Sequence, residues 1–206
     1  MRPLFQYLTT AVVMAVSPMA LHAACFDTSD LGRGLVVTFE DGNQVFMQRT
    51  GTGDVAVRET YNNDDYDTLY TGPYGLYFRE EVDVLNGVIQ PASRLQIDFS
   101  VGDSFPPEPA IGVSWSGPTV NIWTDGNTRD EIYSVKISDK TTYDISGCTY
   151  EALIAQVRYE WPNEGGGFGL EYAYLPAIGS AFLLSSAVDD GSIPPNVPAS
   201  LERMSK

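Results

Sequence analysis

Apolar and polar side chains alternate one for one along most of this 206-residue chain. Leu35, Val37 and Phe39 fall on one side, with Thr38 and Glu40 on the other, and Val45 and Met47 repeat the pattern after Asp41-Gly42. Asp and Gly both accept the positive φ that a tight hairpin requires, so the pair predicts a turn between two strands. Val55 and Val57 alternate with Asp54, Ala56 and Arg58. Leu76 and Phe78 alternate with Tyr77, Arg79 and Glu81, and Leu95, Ile97 and Phe99 with Gln96 and Asp98.

The second half keeps the same period. Val113 and Trp115, then Val120 and Ile122, lead into a second turn, Asp125-Gly126-Asn127. Tyr133, Val135 and Ile137 form a face opposite Ser134, Lys136 and Ser138. Residues 151–161 open with the helix-like Glu151-Ala152-Leu153, but Leu153, Ala155, Val157, Tyr159 and Trp161 recur at every second position. A period of two is a strand. Leu170, Tyr172 and Tyr174, then Phe182 and Leu184, complete the series.

Short half-apolar strands joined by Gly, Asn and Asp turns predict an antiparallel all-β domain with one solvated face. About ten strands are expected over residues 24–187, curling into a half-barrel or folding into a sandwich. No stretch reads as the crossover helix that a parallel sheet needs. The segment 188–206 contains Ile193-Pro194-Pro195-Asn196-Val197-Pro198 and is expected to be a flexible, proline-rich tail.

Ahead of the strands the pattern breaks. A basic start at Arg2, an acid-free apolar stretch over residues 4–16, a Ser17-Pro18 break and the small residues Ala20, Ala23 and Ala24 follow the plan of a secretory signal peptide. Residues 1–23 are therefore expected to be removed, with cleavage after Ala23 or alternatively after Ala24. The apolar stretch is shorter than the roughly 20 residues a membrane-spanning helix needs. A lipid-modified Cys25 is a rival reading, but the His22-Ala23-Ala24 run before it fits that signal poorly. The expected location is the periplasm, with no membrane span in the mature chain.

Export changes the reading of the two cysteines. In an oxidising compartment Cys25 and Cys148 are expected to pair, tying the start of the mature chain to the sheet. A loop of that length contributes roughly 4 to 5 kcal/mol in the chain-entropy account. Export also removes His22, the only histidine. Without an imidazole or a free thiol, Ser-His-Asp and Cys-His nucleophiles are excluded, and so are the usual zinc, copper and non-haem iron ligand sets. The formal net charge of −15, with lysines only at 136, 140 and 206, leaves no basic footprint for nucleic acid.

What remains is oxygen chemistry. Glu80, Glu81, Asp83, Glu131 and Glu171 are candidate acids and bases for a glycosidase-like pair, although Glu80 and Glu81 should point to opposite faces of a strand. Ser134 and Lys136 share a face but carry no signature around them. Asn62-Asn63-Asp64-Asp65-Tyr66-Asp67 is dense in oxygen ligands, yet lacks the glycine and closing glutamate of an EF-hand loop and reads as a polar turn. Gly165-Gly166-Gly167-Phe168-Gly169 opens no helix, so it cannot cradle a phosphate. No catalytic, cofactor or metal residues are assigned, and an enzyme is not expected.

The run Cys25-Phe26-Asp27-Thr28-Ser29-Asp30, continuing to Phe39-Glu40-Asp41-Gly42 directly after a signal peptide, is similar to the mature start of a group of exported bacterial proteins of unknown function. Ser146-Gly147-Cys148-Thr149-Tyr150 and Tyr174-Leu175-Pro176-Ala177-Ile178-Gly179 resemble the later segments of the same group. That resemblance implies a periplasmic protein of unknown function. The ending also looks like the curved half-barrels of lipoprotein-carrier type, which implies an acyl-chain ligand. The expectation is a non-enzymatic domain binding an apolar ligand or an envelope component on a curved sheet. The alternatives are a structural or protein-interaction module of the envelope and, last, a carboxylate-based glycan hydrolase.

Overall fold

The computed structural model describes residues 25–62, 65–101, 105–188, 191–192 and 195–204. The expected signal peptide lies outside them. The chain forms β1 (Leu35–Phe39), β2 (Gln44–Arg49), β3 (Val55–Thr60), β4 (Tyr66–Gly72), β5 (Glu80–Leu85), β6 (Val88–Ile89) and β7 (Leu95–Asp98). It continues through β8 (Ser114–Trp123), β9 (Thr128–Ile145), β10 (Cys148–Glu160), β11 (Gly167–Leu175), β12 (Ser180–Val188), β13 (Gly191–Ser192) and β14 (Pro198–Arg203). The fold is all-β, as expected.

Among the described residues, all fourteen strands belong to one antiparallel sheet, open and curved, rather than to a sandwich. The order follows the chain as a meander from β1 to β13, with β6 and β7 sharing the edge of β5, until β14 returns to pair with β1. Neighbouring strands mostly follow each other in sequence, because a tight turn delivers the return strand directly to the unpaired edge of the last one. The strand count exceeds the expected ten because β4 begins in the run read as a polar turn, the two-residue β6 and β13 are too short to show a period, and β14 lies in the expected tail. The strand expected at Leu76 and Phe78 is instead a loop in which Tyr77 is buried with its neighbours rather than opposite them.

Both Asp-Gly-Asn triplets form the same connection. Gly42 and Gly126 have φ of 85° and 86°. Each N–H donates to the last residue of the incoming strand, Phe39 or Trp123, and Asn43 and Asn127 donate to the carboxylates of Asp41 and Asp125. Identical local chemistry at two unrelated places produces identical turns. Residues 151–160 are the bulk of β10, with Trp161 just past its end, so the two-residue period outweighed the helix-like opening.

The tail expectation fails over Pro198–Arg203. These residues pair along β1, with Leu201 opposite Val37 and 1% exposed. Pro198 sits at the strand's first position, where a missing N–H costs no ladder bond. The alternation of Pro198, Leu201 and their exposed neighbours is too brief to stand out beside a proline-rich run. On the approach to β14, the Asn196 N–H donates to the Leu184 carbonyl and its side-chain amide donates to Leu183. The Ser146 hydroxyl meets the Leu201 backbone at 3.1 and 2.9 Å. Asn196, through its backbone and its side chain, thus draws the two ends of the sheet together where, among the described residues, no ladder joins β12 to β14, and Ser146 ties β14 to the β9–β10 turn.

The concave face is packed. The β4–β5 connection folds inward and buries Leu76, Tyr77 and Phe78, each at most 3% exposed. Tyr77 lies edge-on to Tyr133 and to Phe105, while Phe78 lies edge-on to Tyr172. The inward turn runs through Gly75, whose φ is +57° and where an added Cβ would stand 2.5 Å from the Ser180 hydroxyl. Only glycine suits both demands. The open apolar trough of a carrier-type half-barrel is therefore filled at its middle by the protein's own aromatic side chains.

Candidate ligand site at the acidic end of the barrel

Alternation along β3 places Val55, Val57 and Glu59 on the concave face. Val55 and Val57 join the core, and Glu59 follows them inward at 3% exposure. The Tyr61 hydroxyl donates to Glu59 Oε2 at 2.8 Å, whereas Oε1 is buried with no hydrogen-bond partner. A buried carboxylate oxygen left unpaired is costly and calls for an explanation. Burial pushes the Glu59 carboxyl up to about 7, against the pull of the Tyr61 hydrogen bond, and the charge of Glu81 adds to the rise.

Glu81 reaches the same region from β5, where it stands opposite Tyr70 of β4 and Leu95 of β7. Its carboxyl is also raised, first by burial and then by the like charges of Asp83 and Glu131. Glu80, one residue away, points to the other face and pairs with Arg94 at 3.2 Å. Strand geometry separates the two as expected.

Glu131 of β9 is 2% exposed and fully engaged. It accepts from the Thr119 hydroxyl and the Asn121 amide at 3.0 Å each, and from the Trp161 indole N–H at 3.2 Å. Thr119 lies directly across the β8–β9 ladder from it. Asn121 Oδ1 remains buried and unpartnered. Nearby, the Arg129 guanidinium lies 4.1 Å from the Trp161 ring centre and 5.2 Å from that of Trp123.

Tyrosines fill the space between the acids. The charges of Glu59 and Glu81 both act on Tyr70 and Tyr159, whose phenols are raised chiefly by burial; Tyr172 is raised in the same way and feels Glu59. Strands β3, β4, β5, β9, β10 and β11 thus deliver carboxyls and phenols to one end of the barrel. Beside it, a cleft of about 520 Å³ opens between the β1–β2 turn, β12 and the segment leading to β14. Tyr61 belongs to both, lining the cleft while bonding Glu59.

Of the acids singled out by sequence, Glu81, Asp83 and Glu131 come together here. Glu80 faces away, and Glu171 of β11 stands beside Tyr143, whose phenol it raises after burial. Lys136 is exposed on the outer face of β9, opposite in direction to Tyr133 and Val135. The oxygen-rich loop is described only in part. Within it, Asp67 approaches Arg58 at 3.7 Å and the Asn62 amide donates to the Asp41 carbonyl. No three acids, cysteines or histidines among the described residues converge to hold a metal ion. Glu59 escaped the sequence reading, although its position two residues after Val57 is the signal that an acid faces inward.

Cys25 and Cys148 form a disulfide at the far end of β10, with Cα atoms 5.7 Å apart. Among the described residues no helix is long and apolar enough to cross a membrane.

No protein-family model matches the chain, and none of the curated proteins matches it. Among solved structures, the chain is similar to the crystal structure of the hypothetical lipoprotein YmcC from Escherichia coli (K12). The likeness covers 82% of this chain and 86% of that one, at 10% sequence identity and a TM-score of 0.44.

Proposed function

We propose that the protein is a non-enzymatic binding domain of the cell envelope, exported to an oxidising compartment, that takes a polar ligand at the acidic end of its barrel. The observation that carries this reading is Glu59, buried with one carboxylate oxygen bonded to nothing and set among Glu81, Tyr70 and Tyr159. Polar groups that folding leaves unsatisfied mark places where stability has yielded to another requirement. The disulfide supports an oxidising location. An acyl chain finds its trough filled by Leu76, Tyr77 and Phe78, so the apolar form of the binding hypothesis gives way to a polar one.

Native mass spectrometry of protein isolated from the periplasm tests it. A fraction carrying a small bound mass is expected, absent from a folded Trp161→Ala variant. A clean apo mass, together with unchanged amide resonances at Trp123, Trp161 and Tyr70 when an envelope small-molecule extract is added, overturns the reading.

A second reading, a protein-interaction module, draws on the seam. The edge of β12 and the segment ahead of β14 are joined by Asn196 rather than by a ladder, which leaves backbone groups for an extended partner strand. Cross-linking followed by co-purification of one stoichiometric envelope protein, with no small molecule retained, favours that reading over the first.

A further inference from the structure

We propose that the seam cleft, with Glu59 behind Tyr61, is a binding site for a small organic ammonium ion, Glu59 serving as its counter-ion. The inference rests on the binding reading above and specifies its ligand.

The reasoning begins with charge. Tyr61 and Glu81 act on Glu59, and Asp83 and Glu131 act on Glu81; none of the four is a cation, and Arg129 at this end lies over the Trp161 and Trp123 rings. A buried carboxylate with no cationic partner is costly, and the cost is relieved by protonation or by a cation brought from outside. Elsewhere the chain shows how it handles an acid it means to keep charged. Asp30, at the opposite end of the sheet, receives Arg203 Nη2 at 2.6 Å and Nε at 3.2 Å. Among the described residues, no arginine or lysine bonds Glu59.

Next comes the shape of the donor set. A hard divalent ion takes six to eight oxygens around one point, and no three of the described acids, cysteines or histidines are grouped tightly enough to hold a metal ion. The oxygens are instead spread among phenol rings. A single buried carboxylate, with one oxygen bonded by Tyr61 and the other unpaired, suits a compact ammonium, which needs one ion pair rather than a shell of oxygens. Tyr61 bonds Glu59 and the charge of Glu81 acts on it, while the phenols of Tyr70 of β4, Tyr159 of β10 and Tyr172 of β11 feel the Glu59 charge, and Asp83 of β5 acts on Glu81. Glu131 of β9 lies beyond Glu81.

The cleft has acids at its mouth, Glu40 and Asp41, and apolar walls from Leu183 and Val197. Its volume of about 520 Å³ fits a small molecule with a charged head and a short aliphatic body. Tyr61, which is 37% exposed, both lines the cleft and bonds the carboxylate, so it is the residue that links the two.

Isothermal titration at low ionic strength with n-butylammonium, 1-butanol and calcium chloride tests the proposal on the wild type and on Glu59→Gln, which removes the charge and keeps the shape. The expected result is binding of n-butylammonium alone, weakened roughly tenfold or more by the substitution. Because the counter-ion must be ionised, affinity should rise between about pH 6 and about pH 8 in the wild type and stay flat in the variant. Equal affinity in the two proteins, equal binding of 1-butanol, or a calcium response that the substitution abolishes each overturns it. A neutral envelope compound that shifts the Trp161 and Tyr70 resonances sinks the ammonium ligand while leaving the binding site standing. Silence with every probe and with the extract removes both.

Discussion

Strand β10 has two ends that treat polar groups in opposite ways. At its start, Cys148 is bonded to Cys25, the Tyr150 hydroxyl accepts from the Phe26 N–H at 2.9 Å, and Asp30 nearby is held by Arg203. This end ties both the beginning of the described chain and its last strand to the sheet. At its finish, Tyr159 and Trp161 reach a region where Glu59 Oε1, Asn121 Oδ1 and Arg129 Nε are buried without partners. One end is a covalent staple; the other gathers a carboxylate, an amide and a guanidinium with unmet hydrogen bonds, whereas the unpartnered groups elsewhere include the hydroxyls of Tyr77 and Ser180. The same strand, with the same backbone ladder, supports both, so the difference lies in which side chains the neighbouring strands bring.

Acidity should pull the two ends in opposite directions. Asp30 is held below the usual carboxylate range, by its bond to the Asp27 backbone first and by Arg203 second, so its stabilising contribution is present above the unfolded pKa and fades as pH falls. Glu59 is raised. Its folded form holds the proton more tightly than the unfolded chain, so that stabilisation is complete below the unfolded value and is lost as pH climbs through about 7.

The strongest way to break the comparison is at the staple. Cys25→Ser with Cys148→Ser should lower the unfolding free energy by roughly 4 kcal/mol in urea titrations. A loss under about 1 kcal/mol would mean that the non-covalent contacts at that end suffice. At the other end, Glu59→Gln should stabilise the fold by on the order of 3 kcal/mol at about pH 8 and have no effect near about pH 4. Thermal melts across that range would show the wild-type decline with rising pH vanish in the variant. A destabilised variant at high pH would mean that the charge is satisfied after all.

Smaller effects sharpen the contrast. Arg203→Ala should cost about 1 kcal/mol, and a double-mutant cycle with Asp30→Asn should recover most of it as coupling. Tyr61→Phe deletes the one hydrogen bond to Glu59 and should raise its carboxyl pKa further, by less than about one unit, in carbon-detected NMR titrations. An unchanged titration would place the stabilising contact elsewhere.

Much of the barrel was legible in the alternation of residues such as Leu35, Val37 and Phe39, because a half-buried strand imposes its period on the sequence. Segment 151–161 was readable for the same reason, and so was the separation of Glu80 from Glu81. The site was legible only in fragments. Glu81, Asp83 and Glu131 were visible as acids, but their convergence depends on the curvature that brings β5 toward β9 through intervening strands, and no local pattern encodes that. Glu59 carried a signal in its parity with Val57, masked by the expectation that an acid belongs outside.

By itself, the sequence determined that the chain is an antiparallel β protein, where its Asp-Gly-Asn turns fall and which two cysteines are available to pair. It also determined that imidazole chemistry is closed to any product that loses His22. These follow from local sterics, a two-residue period and simple inventory. Tertiary structure alone decided that fourteen strands form one curved sheet, that Pro198–Arg203 closes against β1, and that Leu76, Tyr77 and Phe78 fill the trough. It also decided that an acid from β3 meets acids from β5 and β9. Such meetings depend on how far the whole sheet coils, a sum over every strand and turn that no single stretch of sequence holds.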